Sequence, residues 1–219
     1  EILNLNEEEI NKIKINSFNT IKNYTNTNYM YKNGQTTIKH IYVEDGITSI
    51  GDYSFFSYSE LLTINLPHTI EYIGEYAFFG IDKITKFSIG PNVKSFGINP
   101  FAESDNLKTI EVHKDNKYVA VKDNILYIKE SKRLITYIIA NKEIKNYTIP
   151  DYIEEIYDYS FRTSSIETVT IHKNVSIIQN NPFLKSYSLR DIYVDEENEN
   201  YSSLFGSLLD KNKTEFISY

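Results

Sequence analysis

Four histidines, His40, His68, His113 and His172, are the side chains of this chain best suited to hold a transition metal or to move a proton near neutral pH. A zinc site needs three or four ligands converging on one point. Only His113 and His172 occupy matching positions in the sequence pattern described below, and they are two units apart along it, so all four are read as solvated turn residues. The acidic run Asp195, Glu196, Glu197, Glu199 suggests a cation loop, since oxygen-rich loops bind calcium. The chain carries its own control: the matching run elsewhere is His113, Lys114, Asp115, Asn116, which breaks the carboxylate set. The absence of Cys excludes disulfides, thiolate metal sites and thiol nucleophiles. No nucleophile elbow, phosphate loop or metalloprotease motif occurs, and no Ser or Asp is tied to a His by spacing. The chain reads as non-enzymatic, with no catalytic residue, no metal and no cofactor.

What remains is a set of short side-chain pairs: His40 and Tyr42; Thr63 and Asn65; Lys86 and Ser88; Thr109 and Glu111; Asn146 and Thr148; Thr168 and Thr170; Asp191 and Tyr193. Each pair brackets an apolar residue, so it lies on one side of a short strand. Thr suits a solvated sheet, and the same rows also suit a ligand-facing surface. Their meaning depends on the elements that carry them.

The chain has 219 residues and a net charge of −7. A net-acidic chain is a poor partner for nucleic acid or an anionic membrane. Hydrophobic residues make up 41%, enough to build a core. No apolar run approaches the roughly 20 residues of a membrane-spanning helix. There are 32 Ile against 13 Leu, with 23 Asn and 19 Tyr. Ile and Tyr favour strands and Asn favours turns, so many short strands are expected.

Those strands repeat. Residues 61–83 read LLTINLPHTIEYIGEYAFFGIDK; one 23-residue step back gives IKHIYVEDGITSIGDYSFFSYSE and one step forward gives ITKFSIGPNVKSFGINPFAESDN. The pattern returns at Ile144 and Ile166. Its landmarks are an apolar start (Leu61), an alternating pair (Ile64/Leu66), a later Ile-x-x-Ile (Ile70, Ile73) and a Phe (Phe78). The other Phe residues in register are Phe55, Phe101, Phe161 and Phe183. Two longer units, from Leu107 and from Leu189, begin alike and then add apolar segments around a polar turn; Ile125–Lys129 and Leu134–Ile138 flank Glu-Ser-Lys-Arg, which reads as a hairpin.

A single unit cannot bury its own apolar face, but stacked units cover one another. The expected fold is mainly β: a right-handed solenoid with parallel strands on its concave face, little α-helix and two inserted β-hairpins. The seven units are 38–60, 61–83, 84–106, 107–143, 144–165, 166–188 and 189–219. The Phe residues should stack as an internal ladder, with Tyr76 pointing outward beside Phe78. Gly51, Gly74 and Gly97 follow the second Ile, where a left-handed turn would favour glycine; Tyr157 and Gln179 stand there in later copies, so not every turn requires it. Residues 1–37 read as an N-terminal cap, with Leu3/Leu5 and Ile13/Ile15 as a hairpin and a short helix over Glu7–Lys14 as the alternative; Asn23–Asn33 should be loop. The last unit stops at Tyr219, where its earlier copy runs on, and is read as truncated. A further unit or end-to-end self-association is expected to cover it.

The unit LxxIxLPxxIxxIGxxAF resembles the BspA-like leucine-rich repeats of bacterial and protist surface proteins, and the resemblance extends over roughly residues 12–219. Family repeats often carry Cys shortly after the Phe; here Tyr58, Ile81, Ser104, Ser164 and Ser186 stand there. The resemblance implies a leucine-rich-repeat solenoid and an adhesive, cell-surface or secreted recognition module. Its partner would be an extracellular host or neighbouring-cell protein, bound on the concave face. A glycan-binding module, motivated by the many Tyr but weakened by zero Trp, and a passive spacer in a longer surface protein are the alternatives.

Overall fold

The computed structural model describes residues 12–15, 20–21, 38–140 and 142–218. Among them every regular element is a strand, and there is no helix. The chain divides into two compact units, Glu1–Lys117 and Tyr118–Tyr219.

In the first unit, alternation of apolar and polar residues sets the strands. Ile41 and Val43 are buried while Tyr42 between them is exposed. His40–Val43 pairs in parallel with Lys12–Ile15 on one side and with Thr63–Asn65 on the other, matching Ile13, Ile41 and Ile64. Lys86–Ile89 pairs with Thr109–Val112 in the same way, matching Phe87 with Ile110. These strands form the first wall. The opposite wall is a four-stranded parallel sheet of two-residue strands, Thr20–Ile21, Ser49–Ile50, Tyr72–Ile73 and Ser95–Phe96, with Ile50, Ile73 and Phe96 in register. The chain thus winds as a β-solenoid, one coil per repeat, closing its core between two stacks of strands. Residues 12–14 are strand, so the alternative helix over Glu7–Lys14 does not reach its proposed end. The hairpin partner Leu3/Leu5 and the loop Asn23–Asn33 lie outside the described residues.

The second unit repeats the plan. Asn146–Thr148, Thr168–Ile171 and Asp191–Val194 form a three-stranded parallel first wall. Its opposite wall holds Glu155–Ile156 and Ile177–Ile178, and an inserted hairpin strand joins them: Arg133–Tyr137 pairs in parallel with Glu155–Ile156. The expected hairpin is present, Ile125–Ile128 against Arg133–Tyr137, and Val119–Lys122 widens it to three strands. The last unit builds the same motif from Tyr201–Leu204, Ser207–Asp210 and Phe216–Ser218. Both motifs turn on two residues with positive φ, Asp123-Asn124 and Phe205-Gly206, the signature of a type I′ hairpin.

Aromatic rings run through each core. Phe78 stacks between Phe55 (5.3 Å, 12°) and Phe101 (5.8 Å, 10°), and Phe87 wedges against Phe78 and Phe101. In the second unit Phe161 lies between Phe183 (5.3 Å) and Tyr137 (5.3 Å), so the hairpin strand supplies a rung. Left-handed residues bracket the ladder: φ is positive two residues before the Phe at Tyr53, Tyr76, Asn99, Tyr159 and Asn181, and two after it at Ser57, Gly80, Glu103, Thr163 and Lys185. That pivot turns Tyr76 inward. Tyr76 is only 8% exposed and packs on Tyr53 and Phe79, which overturns the expectation that it points outward. The repeated glycines serve a different purpose from the one expected. Gly74 and Gly97 do not have positive φ. A Cβ at Gly97 would lie 2.2 Å from the backbone nitrogen of Glu75, and one at Gly74 would lie 2.5 Å from that of Asp52, both in the preceding coil. They permit coils to touch.

Candidate functional site

Alternation fixes the outward rows of the first wall. In the first unit the parallel register sets His40 beside Thr63, Tyr42 beside Asn65, Lys86 beside Thr109 and Ser88 beside Glu111. In the second it lines up Asn146, Thr168 and Asp191 in one row and Thr148, Thr170 and Tyr193 in the next. Tyr42 is 45% and Tyr193 51% exposed, each at an outward position of its strand. The structure therefore groups the candidate residues by unit, each group on one polar face.

The faces are held by cross-strand contacts. His40 Nδ1 and Thr63 Oγ1 are 2.8 Å apart, and Thr168 Oγ1 donates to Asn146 Oδ1 at 2.7 Å. Lys86 pairs with Glu111 diagonally at 2.7 Å. At the rim, Glu167 lies between Lys145 and Arg190, both at 3.8 Å. Neighbouring coils thus fix the side chains of the rows, and parallel ladders fix the backbone beneath. Side chains held in this way have less rotamer freedom to lose than free ones would. The side chains the surface presents are hydroxyls, amides, tyrosines and one Lys–Glu pair.

The other candidates resolve into structure. His172 Nε2 donates to Pro150 O at 2.7 Å while its Nδ1 accepts the Asn174 N–H at 3.0 Å; His113 Nδ1 accepts the Asp115 N–H at 3.3 Å. Both rings organise turns, as their positions after the strand suggest. Asp195 accepts the Glu197 N–H, and Glu197 pairs with Lys173 of the preceding coil. Among the described residues no three His, Asp or Glu converge on a metal position. The signal that sequence reasoning missed is Asn116 and Asn198, the matching Asn of the two long units. Asn116 Nδ2 reaches Gly90 O and Val93 O, and Asn198 Nδ2 reaches His172 O and Val175 O, all within 2.8–3.0 Å. The pairing of those two long units in the sequence could have found them.

A groove of about 400 Å³ opens in the second unit between Ile178–Asn181 and Glu215–Ile217, with Tyr201 and Asp210 in its lining. Burial pushes the Tyr201 hydroxyl pKa up, and its oxygen accepts the Ile178 N–H at 2.7 Å. The Glu215 N–H, aided by Thr214, holds Asp210 below its usual range. That carboxylate caps a turn and is not poised as a base.

The BspA type leucine rich repeat region matches this chain in six copies, over residues 25–127 and 123–209. The chain belongs to the BspA-type leucine-rich repeat family. No curated protein matches it. Among solved structures, this leucine-rich repeat protein is similar to the pneumococcal vaccine antigen PcpA, with TM-score 0.66 and 23% identity over 74% of this chain and 40% of that one. It is also similar to a leucine rich cell surface protein of Faecalibacterium prausnitzii, with TM-score 0.52 and 22% identity over 72% of this chain and 55% of the other. At such identity the likeness speaks for the solenoid fold. The leucine-rich repeat chain spans about half or less of these relatives' lengths.

Proposed function

We propose that this chain is a non-enzymatic recognition module, displayed on a cell surface or secreted, that binds an extracellular protein through the outward rows of its first wall. The observation that carries the reading is the polar face: exposed hydroxyl, amide and tyrosine side chains on a parallel ladder, tied to one another across coils. The F. prausnitzii relative is a cell surface protein and PcpA a vaccine antigen, which supports the location. No helix among the described residues is long and apolar enough to cross a membrane.

Two arrays separate this reading from its alternatives. The chain is applied to immobilised fibronectin, laminin and collagen, and in parallel to a glycan array. Saturable binding to a protein with no glycan signal is the expected result. Glycan binding alone would move the function to carbohydrate recognition, and binding to neither favours a passive spacer.

A further inference from the structure

Twice in the second unit a Tyr ring, a carboxylate and a cation form one cluster. Lys122 Nζ stands 4.7 Å from the centre of the Tyr152 ring, Tyr152 donates to Asp123 Oδ2 at 3.0 Å, and Lys122 pairs with that oxygen at 3.8 Å. The Arg133 guanidinium stands 4.9 Å from the centre of the Tyr157 ring, and its Nε lies 2.6 Å from Glu155 Oε2. A cation over a ring face is attracted by the ring's quadrupole, and a carboxylate beside it adds a charge partner. These clusters show what a Tyr and a carboxylate within reach of each other can hold.

The first unit has the Tyr and the carboxylate without the cation. Tyr53 donates to Glu75 Oε1 of the next coil at 2.8 Å. The Tyr53 ring lies 5.7 Å from Phe56 and 5.6 Å from Tyr76, and Phe56 stacks on Phe79 at 4.3 Å. Four rings from two coils thus form a platform beside the Phe ladder. Tyr53 is 39% exposed, and Phe56 and Phe79 are half-buried. Among the described residues no Lys or Arg stands over Tyr53 or Phe56, and none pairs with Glu75. Burial, and then the hydrogen bond and charge of Glu75, push the Tyr53 hydroxyl up to about 12.

The charge around the platform has one sign. The Phe turns of the first unit, 51–60, 74–83 and 97–106, carry Asp52, Glu60, Glu75, Asp82, Glu103 and Asp105 against one base, Lys83, which lies 4.0 Å from Glu60. In the corresponding turns of the second unit, 157–165 and 179–188, the charged residues are Asp158, Arg162 and Lys185. Arg162 stands at the sequence position of Phe56 and Phe79. The second unit carries its own cations where the first presents rings and carboxylates.

We propose that the platform of Tyr53, Phe56 and Phe79, with Glu75 at its edge, is a docking surface for a basic segment of another protein, which lays a Lys or Arg side chain over the Tyr53 ring and toward Glu75. Complementary charge and the two internal clusters argue for that occupant. No residue of the first wall takes part, so this surface and the outward rows there stand or fail separately.

The test uses fluorescein-labelled peptides of alternating Gly and Arg, Gly and Lys, or Gly and Gln. Their binding to the whole chain is read by fluorescence anisotropy at physiological ionic strength, for the parent and for Tyr53→Leu, Phe56→Leu, Glu75→Gln and Glu130→Gln, each checked by a thermal melt. Both basic peptides should bind and the Gln peptide should not. Tyr53→Leu and Phe56→Leu leave the net charge alone, yet each should weaken binding about two- to fivefold, the scale of one exposed cation–π contact. Glu75→Gln should weaken it as well, whereas Glu130→Gln, which removes the same charge from a hairpin turn of the second unit, should not. Independently of any variant, ring currents should shift the side-chain protons of the bound Arg peptide upfield in its NMR spectrum. Failure of both basic peptides to bind, equal binding of the Gln peptide, parent-like binding by both folded ring variants, or unshifted Arg protons at saturation overturns the proposal.

Discussion

Tyr137 lies on Phe161 with ring centroids 5.3 Å apart and planes 25° from parallel, and the Tyr137 N–H donates to Ser160 O at 2.8 Å. The second contact is the one by which Phe55 and Phe78 engage the next coil, through Ala77 O and Pro100 O. A hairpin strand thus occupies the Phe position of its coil. Toward the next coil the last hairpin strand serves as a return wall, since Arg133 and Leu134 pair in parallel with Glu155 and Ile156.

Tyr137→Ala should therefore behave as a core truncation and cost roughly 3–5 kcal/mol. Tyr137→Phe keeps the ring and should stay within about 1 kcal/mol, the net scale of one hydroxyl's hydrogen bonding. Urea unfolding followed by tyrosine fluorescence, usable because the chain has no Trp, reads both. Equal losses in the two variants would show that the ring is not a rung.

The buried Asn pair gives a second expectation. Asn198 is fully buried, donates to two carbonyls of the preceding coil and accepts the N–H groups of Asn200 and Tyr201. Asn198→Ala leaves those groups unpaired away from water, a cost of about 1–3 kcal/mol for each unsatisfied group. The exposed Asn200, replaced by Ala, should change stability by no more than about 0.5 kcal/mol. Paired urea melts decide the order.

Backbone geometry supplies a pair of opposite sign. Gly97→Ala forces a methyl to within 2.2 Å of the Glu75 nitrogen, and overpacking of this kind costs roughly 1–3 kcal/mol. Thr163 is a β-branched residue at φ +60°, where Gly80 stands in the equivalent turn. Thr163→Gly should relieve about 1 kcal/mol of left-handed strain. Differential melts showing loss in the first and gain in the second support the account; a destabilised Thr163→Gly would show that the Thr contacts outweigh the strain.

The repeat frame was readable because burial repeats. Ile41, Ile50, Leu61, Ile70, Ile73 and Phe78 are all buried, and each is a landmark of the pattern. Tyr76 was not readable: it is no landmark of the repeat, and left-handed residues on both sides of the Phe leave no strand period there from which its side could be read. Tyr137 was hidden for another reason. Its rung is supplied from beyond an insertion, so no fixed step from Phe101 reaches it. The outward rows of the first wall were legible as positions, since Tyr42 and Ser88 alternate with buried neighbours. What they bind is not encoded in alternation, which records only which side faces water.

Alkaline pH probes the second unit. Burial, first, and then neighbouring Tyr152, Tyr137 and Asp123 raise the Tyr147 pKa well above 10; burial and the Asp123 carboxylate do the same for Tyr152. Folding favours the neutral phenol in both. Their contribution is thus fully present below about pH 10, the unfolded value, and is lost as pH rises above it. Stability measured from pH 8 to 12 should fall above 10, and Tyr147→Phe should flatten the fall. An unchanged slope in that variant would exclude Tyr147 as the titrating group.

The central claim is that the outward rows of the first wall are the binding surface, and placing new charges on that surface tests it most directly. Thr63→Glu, Ser88→Glu and Thr170→Glu place carboxylates on the face, while Glu130→Lys alters an exposed hairpin turn away from it. Binding of each variant to the matrix protein captured by the parent chain is measured by surface plasmon resonance, with a thermal melt to confirm folding. The account predicts at least about a tenfold weaker Kd, about 1.4 kcal/mol, for the three face variants and no change for Glu130→Lys. Parent-like binding by all three correctly folded face variants would contradict it.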